Sequence, residues 1–402
     1  MIRSTVAHVD LAALQANFKA IQNFLAAGAS DPAGVADPSR LRHSVASAGQ
    51  EGPRRPAPKV IAVVKANAYG HGAERVALAL ESAGADLLAC ADIEEGIVLR
   101  RAGVRAPILV FGALSVSDLD GVFEFALTPT ISSPAAARAV QAAAARHSQT
   151  LGYHLKIDTG MNRLGFRHDN LRRTLPELLA SPNLRLEAIF THFATADDPE
   201  LPFFDEQRQH FEAALKAIEE GGGRDRPLIH AANSAATLRD SRVWYDMVRP
   251  GLLLYGIVPP PMATTIPLTP VMSLTSRVVA VKGLHPGEGI GYGLRFHADK
   301  PVTTAVIPAG YADGIDLRVS GRCHVLIRGR RVPIVGAVSM DMMTVDVTGL
   351  DDVSPGDEVV IIGRQGNESW QQIDAREMAA AIGTIPYEIV CRIGARIERQ
   401  YE

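Results

Sequence analysis

Lys65 is the residue around which chemistry can be built. It ends the run Val60-Ile61-Ala62-Val63-Val64, which is apolar, β-branched and of strand length, and so reads as a strand buried on both faces. A glycine-punctuated turn, Ala66-Asn67-Ala68-Tyr69-Gly70-His71-Gly72, and a helical pattern from Ala73 to Ala83 follow. An amine at the mouth of a buried strand is desolvated, which lowers its pKa and makes it nucleophilic. That is the requirement for a Schiff-base lysine. Tyr69, four residues on, can turn its hydroxyl over the same mouth, or it can bury its ring and leave the hydroxyl in water.

The other reactive side chains fall at the ends of further strand candidates. These are Asp86–Ala91, Ile108–Phe111, Leu127–Ile131, Tyr153–Ile157, Ala188–Thr191, Leu228–Ala231 and Asp246–Arg249. Helical patterns intervene at Ile93–Arg101, Pro134–Arg146, Leu171–Leu179, Phe204–Glu219 and Ser234–Leu238. Eight strand–helix units predict an α/β fold, a (β/α)8 TIM barrel, with its site at the carboxyl ends of the strands. No Gly-x-Gly-x-x-Gly turn follows the first strand, which argues against an open dinucleotide-binding sheet. Lys156, Asp158 and Arg163 lie at or beyond the end of the fifth barrel strand. His192 follows the sixth, His230, Asn233 and Ser234 the seventh, and Arg249 the eighth.

Their types suggest a ligand. Ser234 opens a helix, where a hydroxyl serves as an N-cap or as a phosphate partner, and one residue can do both. Gly251 and Leu252 follow Arg249-Pro250, and a glycine there lets backbone N–H groups approach an anion. Barrels often bind phosphate with the loops after strands seven and eight. A phosphorylated ligand beside a Schiff-base lysine fits pyridoxal 5'-phosphate. Arg163 is either a surface arginine or a planar fork for a carboxylate. His192 is either a core histidine or part of the site. No histidine spacing resembles a zinc site, and no metal is expected.

Composition is that of an ordinary globular protein: 402 residues, net charge −3 and three cysteines, Cys90, Cys323 and Cys391. The balance of charge offers nothing to nucleic acid or an anionic membrane. No apolar run spans a bilayer, the N-terminus lacks a signal-peptide core, and the cysteines suggest free thiols, so a cytoplasmic protein is expected. Leu11–Ala26 has helical spacing with Asp10 as its cap. Residues 28–58 are rich in Pro, Gly, Ser and Ala and read as a mobile surface insertion. After about Leu268 short β-rich runs replace the helices: Val271–Val281, Thr303–Pro308, His324–Ile327, Val332–Val338, Thr344–Val347 and Glu358–Ile362. One more helix is expected at Ala375–Ala381. The division predicted is a barrel over 1–265 and a mostly β C-terminal domain over 266–402, with Pro259–Pro270 as linker.

Across nearly the whole chain the motifs resemble those of the alanine racemases. The matching stretches are Val64–Gly72, Lys156–Gly165, Thr191–Ala194, His230–Ala235, Val248–Gly256, Gly289–Gly293, Ala309–Gly314, Ser339–Asp341 and Thr384–Tyr387. The resemblance implies a pyridoxal-phosphate enzyme of fold-type III, interconverting L- and D-alanine by a two-base mechanism on the external aldimine and supplying D-alanine for peptidoglycan. It implies that Lys65 carries the cofactor and serves as one base, with Tyr292 from the partner subunit of a homodimer as the other. Arg163 would hold the substrate carboxylate with the backbone amide of the partner's Met340, and Tyr311 would line the entrance. Tyr69, Ser234, Gly251, Leu252 and Tyr387 would bind the phosphate. Arg249 would face the pyridine nitrogen, and His192 would bridge Arg249 to Tyr292. Lys156 matches a lysine that is carbamylated in some members. A tyrosine is a poor base at its reference pKa of about 10, so one acting here needs positive or hydrogen-bonding neighbours. The competing readings are a broader-specificity or serine racemase, a decarboxylase of basic amino acids on a related barrel, and a non-enzymatic pyridoxal-phosphate carrier. The second domain and the Tyr292 motif argue against the last two.

Overall fold

The computed structural model describes residues 4–30, 56–114, 119–220, 226–366 and 370–402. Most of the expected 28–58 insertion lies outside the described residues. The chain opens on β1 (Val6–Val9), a strand the sequence reading does not assign. Asp10 then caps the first helix by accepting from the Ala13 amide at 2.7 Å, and that helix runs past Ala26 to Ser30.

Eight parallel strands form the barrel: β2 (Lys59–Val63), β3 (Leu87–Cys90), β4 (Ile108–Val110), β5 (Thr128–Ile131), β6 (Leu151–Asp158), β8 (Leu184–Phe190), β9 (Leu228–Asn233) and β10 (Met247–Arg249). A two-residue strand, β7 (Phe166–Arg167), flanks β6. Pairing of Thr130 with His154 and of Val248 with Val60 closes the circle. Apolar side chains of Ile61, Leu87, Ala89, Leu109, Ala188 and Met247 fill one interior layer. The period of two along β6 then puts buried His154 and Lys156 on the interior face, while Tyr153, Leu155 and Ile157 pack outward in the main core. All eight expected strands are present, displaced by a few residues at their ends. The expected helix Leu171–Leu179 is two short pieces, Leu171–Thr174 and Pro176–Leu179, because Pro176 has no N–H to continue the first.

The second domain is mostly β. Its strands are β11 (Met272–Arg277), β12 (Ala280–Leu284), β13 (Gly289–Ile290), β14 (Phe296–His297), β15 (Val302–Ile307), β16 (His324–Ile327), β17 (Arg330–Val335), β18 (Met343–Asp346), β19 (Glu358–Gln365), β20 (Gln371–Ile373) and β21 (Glu398–Tyr401). The β-rich run Val271–Val281 holds β11 and the start of β12, which lie in different places in the sheet order. β1 lies between β11 and β21, so Val6–Val9 join the sheet of the second domain. Asn17 fastens the first helix to the segment between the domains, donating to the Leu254 and Thr269 carbonyls and accepting from the Thr269 amide at 2.8 Å. The helix at Ala375–Ile382 agrees with expectation, and a second, Pro386–Cys391, follows it.

Candidate active site

Lys65 stands two residues beyond β2, at the start of an unusual turn. Ala66, Asn67, Ala68 and Tyr69 all have φ between 53° and 54°, the left-handed region. Each costs about 1–2 kcal/mol for an L-residue, so the turn exists only because other groups hold it. Several do. The Gly70 amide bonds to the Ala66 carbonyl and the Gly72 amide to the Asn67 carbonyl, both at 3.0 Å. The Asn67 side chain accepts from the Ala73 amide at 2.8 Å. The His71 Nδ1 donates to the Ala68 and Tyr69 carbonyls at 3.0 and 2.9 Å. Glu95, on the helix after β3, accepts from the Ala66 and Ala91 amides at 2.6 and 2.7 Å. Burial, and then the positive charge of Arg163, pull the Lys65 amine below the usual lysine range, with Arg249 acting the same way and Glu95 opposing them.

Cations converge here. Lys156 is buried in the barrel mouth, and burial together with Arg163 and Arg249 lowers its amine to about 8. Arg249 is 4 % exposed and firmly held, its Nη1 donating to His230 Nδ1 at 2.8 Å and its Nη2 to the Thr191 and Ala231 carbonyls at 2.7 and 2.9 Å. Burial lowers it to about 9, so it stays charged at neutral pH. Its Nη2 also lies 3.3 Å from His192 Nδ1. That contact makes Nδ1 the acceptor and puts the proton of neutral His192 on Nε2. Burial and then Arg249 hold His192 far below the usual histidine pKa. The same logic runs inward: His230 accepts at Nδ1, donates from Nε2 to His154 Nδ1 at 3.0 Å, and so orders a chain of three side chains under the mouth. The Phe190 ring lies under both Lys156 and Arg249, at 5.6 and 5.3 Å, a favourable site for cations.

Arg163 reaches the mouth on a loop shaped by Asp158, whose carboxylate accepts from the Gly160 and Asn162 amides at 3.0 Å. Gly165, at φ +130°, closes the loop so tightly that a Cβ would strike the backbone of Asp158. On the other side, Ser234 Oγ accepts from the Gly251 amide at 2.9 Å. Ser234 is not the N-cap that its position suggests; Asn233 caps the helix by accepting from Ala236, which frees the serine hydroxyl for Gly251. A Cβ at 251 would collide with the Tyr69 hydroxyl. Leu252 is fully buried behind it, and the Tyr387 ring lies 5.8 Å from that of Tyr69. Ser234, Gly251, Tyr69 and Tyr387 thus form a cradle of N–H and O–H groups, next to an excess of positive charge. Its shape and chemistry fit a phosphate tethered near an amine.

Three expected residues do not join this cluster within one chain. Tyr292, at the tip of the β13–β14 hairpin, is 77 % exposed, Met340 is 52 % exposed and Tyr311 is 45 % exposed. Among the described residues no hydrogen bond, ion pair or ring contact ties them to Lys65. The Tyr311 and Met340 loops are fixed to each other, with the Ala312 amide bonded to the Met340 carbonyl at 3.0 Å. Two contributors escaped the sequence reading. Glu95 is one; locally it looks like the third residue of an Asp92-capped helix, and nothing in that pattern says that its carboxylate leaves to clamp Ala66. His154 is the other, separated in sequence from every motif it serves.

Known proteins resemble this arrangement throughout its length. Residues 36–259 match the family described as alanine racemase, N-terminal domain, and residues 271–401 match alanine racemase, C-terminal domain. The alanine racemase of Symbiobacterium thermophilum is 44% identical over 347 residues, covering 86% of this chain and 91% of that protein. Among solved structures, the alanine racemase of Streptomyces lavendulae superposes with a TM-score of 0.86 at 32% identity, over 100% of this chain and 98% of that one. That of Bartonella henselae, with covalently bound pyridoxal phosphate, gives 0.80 at 27% identity and 99% of both chains. With both of its domains matched and the barrel-plus-β architecture shared, this chain belongs to the alanine racemase family, whose members are pyridoxal-phosphate-dependent isomerases.

Proposed function

We propose that the protein interconverts L- and D-alanine with pyridoxal phosphate held at the barrel mouth, as a homodimer in which each subunit completes the other's site. The carrying observation is the Lys65 amine, desolvated and flanked by Arg163 and Arg249, beside the Ser234–Gly251 cradle. The residues present fit the cofactor, since glycine at 251 lets the Tyr69 hydroxyl come in beside the Ser234 hydroxyl, where both can serve a phosphate. Tyr69, Ser234, Gly251, Leu252 and Tyr387 would hold its phosphate, and Arg249 would donate to its ring nitrogen. When bound, the cofactor supplies an electron sink that acidifies the α-hydrogen of an attached amino acid; a ring nitrogen facing arginine makes that sink a weak one, which suppresses transamination.

The chain's own groups do the rest. Arg163 binds the substrate carboxylate with its planar fork, and the backbone amide of Met340 of the partner subunit adds a donor. Lys65, kept neutral more readily than a solvated lysine, takes or gives a proton on one face. Tyr292 of the partner subunit serves the other face. His192, with its proton on Nε2, would donate toward that phenol and connect it to Arg249. Lys156, with its amine at about 8, has the neutral fraction needed to add CO2 as a carbamate, releasing one proton and placing an anion beside Arg163. Tyr311 would line the entrance. Dimerisation would also cover the exposed Tyr292, Leu294, Met340 and Met342. The reading makes the enzyme a cytoplasmic source of D-alanine for peptidoglycan. Incubation with L-alanine in D2O tests it: D-alanine carrying one deuterium at Cα is expected. Release of CO2, or recovery of L-alanine with its hydrogen unexchanged, would overturn it.

A further inference from the structure

Behind the turn that carries Lys65 lies a cavity of about 60 Å³ at the junction of the two domains. His71 lines it from the barrel side with the Tyr255 ring, Met272, Ile362, Ile373 and Val390 supply apolar wall, and Gln372, Asp374 and Arg376 supply its polar part. His71 is completely buried, and its Nε2 has no hydrogen-bond partner among the described residues. The ring's other nitrogen faces two carbonyl oxygens, so it carries the proton, and Nε2 presents a lone pair. One face of the ring is taken by Tyr255, at 4.4 Å between centroids, which leaves the Nε2 edge toward the cavity.

We propose that this cavity is a binding site for a small neutral molecule of the alcohol class, whose hydroxyl donates to His71 Nε2 while its carbon chain occupies the apolar walls. Size sets the limit. A water molecule needs roughly 10–15 Å³ by this measure, so the space suits a molecule of about three to five heavy atoms. Charge sets the class. An anion would face the histidine lone pair, with the only ring proton already committed; the one cationic side chain of the wall, Arg376, donates to the Met262 carbonyl at 3.3 Å. A cation would be desolvated among aliphatic walls, with the nearby Asp374 carboxylate already accepting from the Glu377 amide. A neutral donor meets neither penalty. Its bond to Nε2 also polarises the ring, which strengthens the Nδ1–H bonds to Ala68 and Tyr69. The occupant therefore supports the left-handed turn between Lys65 and the cradle, from a position that touches neither.

The site is independent of the reaction assigned above, and its test does not use activity. The full chain carrying its cofactor is titrated with 1-propanol by ligand-observed NMR, with propionate and propylammonium as charged analogues of similar size. Saturable binding of propanol in the millimolar range is expected, with neither ion competing. Ile373→Phe, which places a ring in the cavity, and His71→Asn, which keeps a donor near the Nδ1 position but removes the Nε2 acceptor, should each weaken binding at least tenfold. Met272→Phe fills the cavity from the opposite wall should Ile373→Phe not fold. Equal binding by the ions, unchanged affinity in all folded variants, or propanol-soaked crystals with only water at His71 would each overturn the proposal.

Discussion

The barrel mouth and the outer loops of the second domain are built to opposite standards. At the mouth, Arg249 is 4 % exposed and Lys156 6 % exposed, and both terminal nitrogens of Arg249 are bonded within the barrel. On the second domain, Tyr292 is 77 % exposed at a hairpin tip between glycines. The mouth owes its order to burial: stranding a cation there costs so much that its neighbours must be fixed around it. The hairpin tip has no such pressure within one chain. An exposed tip is not held in place by its own chain, and under the proposed function this region would become part of a site only against a second copy of the chain.

The sharpest attack on this contrast is complementation. Lys65→Ala and Tyr292→Phe chains should each be inactive as homodimers, by several orders of magnitude. Co-expressed, they form mixed dimers in which one site carries both lesions and the other carries none. Random pairing makes half the dimers mixed, each with one intact site, so about a quarter of wild-type turnover should return. If the mixture is as dead as its parents, Tyr292 acts within its own chain and the comparison fails. A second, smaller effect sharpens the mouth's side. Gly251→Ala drives a Cβ into the Tyr69 hydroxyl. Overpacking of this kind costs about 1–3 kcal/mol, which predicts pyridoxal-phosphate affinity lower by about 5- to 150-fold in an absorbance titration. An affinity within twofold of wild type would show that the cradle is looser than its geometry.

How much of this was legible follows the same divide. The barrel strands announce themselves because a strand covered on both faces must be apolar along its length, as Val60–Val64 is. Lys65, Lys156, Arg163 and Arg249 stood out because reactive types recur at the ends of those runs. What was hidden depends on contacts between distant residues. Four successive left-handed residues without a glycine among them cannot be read from Ala66–Tyr69, since their strain is offset by Glu95 and His71. Ser234 looked like a cap because local sequence does not say that Asn233 will do that work. β1 was invisible because its partners, β11 and β21, lie more than 260 residues away in sequence. The Val271–Val281 run is β-rich as expected, but its β propensity does not mark where β11 ends and β12 begins.

Glu95 allows a more graded test. Glu95→Gln keeps the shape but offers one carbonyl oxygen to two backbone amides that were both served by a carboxylate. One charge-assisted bond is lost, worth about 1–3 kcal/mol, and thermal unfolding should shift down accordingly. The variant also removes a carboxylate that raises the Lys65 amine. The acid limb of kcat/KM should therefore move to lower pH, whereas a purely structural role would lower the melting temperature and leave the limb in place.

The smallest expected effect bears on Lys156. Burial and two arginines lower its amine from the ordinary 10.5 to about 8 in the folded chain. Between those values the unfolded chain binds more protons than the folded one, so stability must rise with pH across that window, by at most about 1.4 kcal/mol per pH unit from this group. Below pH 8 the penalty is fully present, and above 10.5 it is gone. Other groups titrate in the same range, so the signal is a difference: in cofactor-free, CO2-free protein, Lys156→Met should flatten the slope of unfolding free energy between pH 8 and 10 by up to that amount. Adding bicarbonate should flatten the wild-type slope as well, because a carbamate no longer titrates as an amine, and should leave the methionine variant unchanged. Identical slopes in wild type and variant would mean that water reaches Lys156 freely, and that the mouth is less different from the exposed hairpin than its burial suggests.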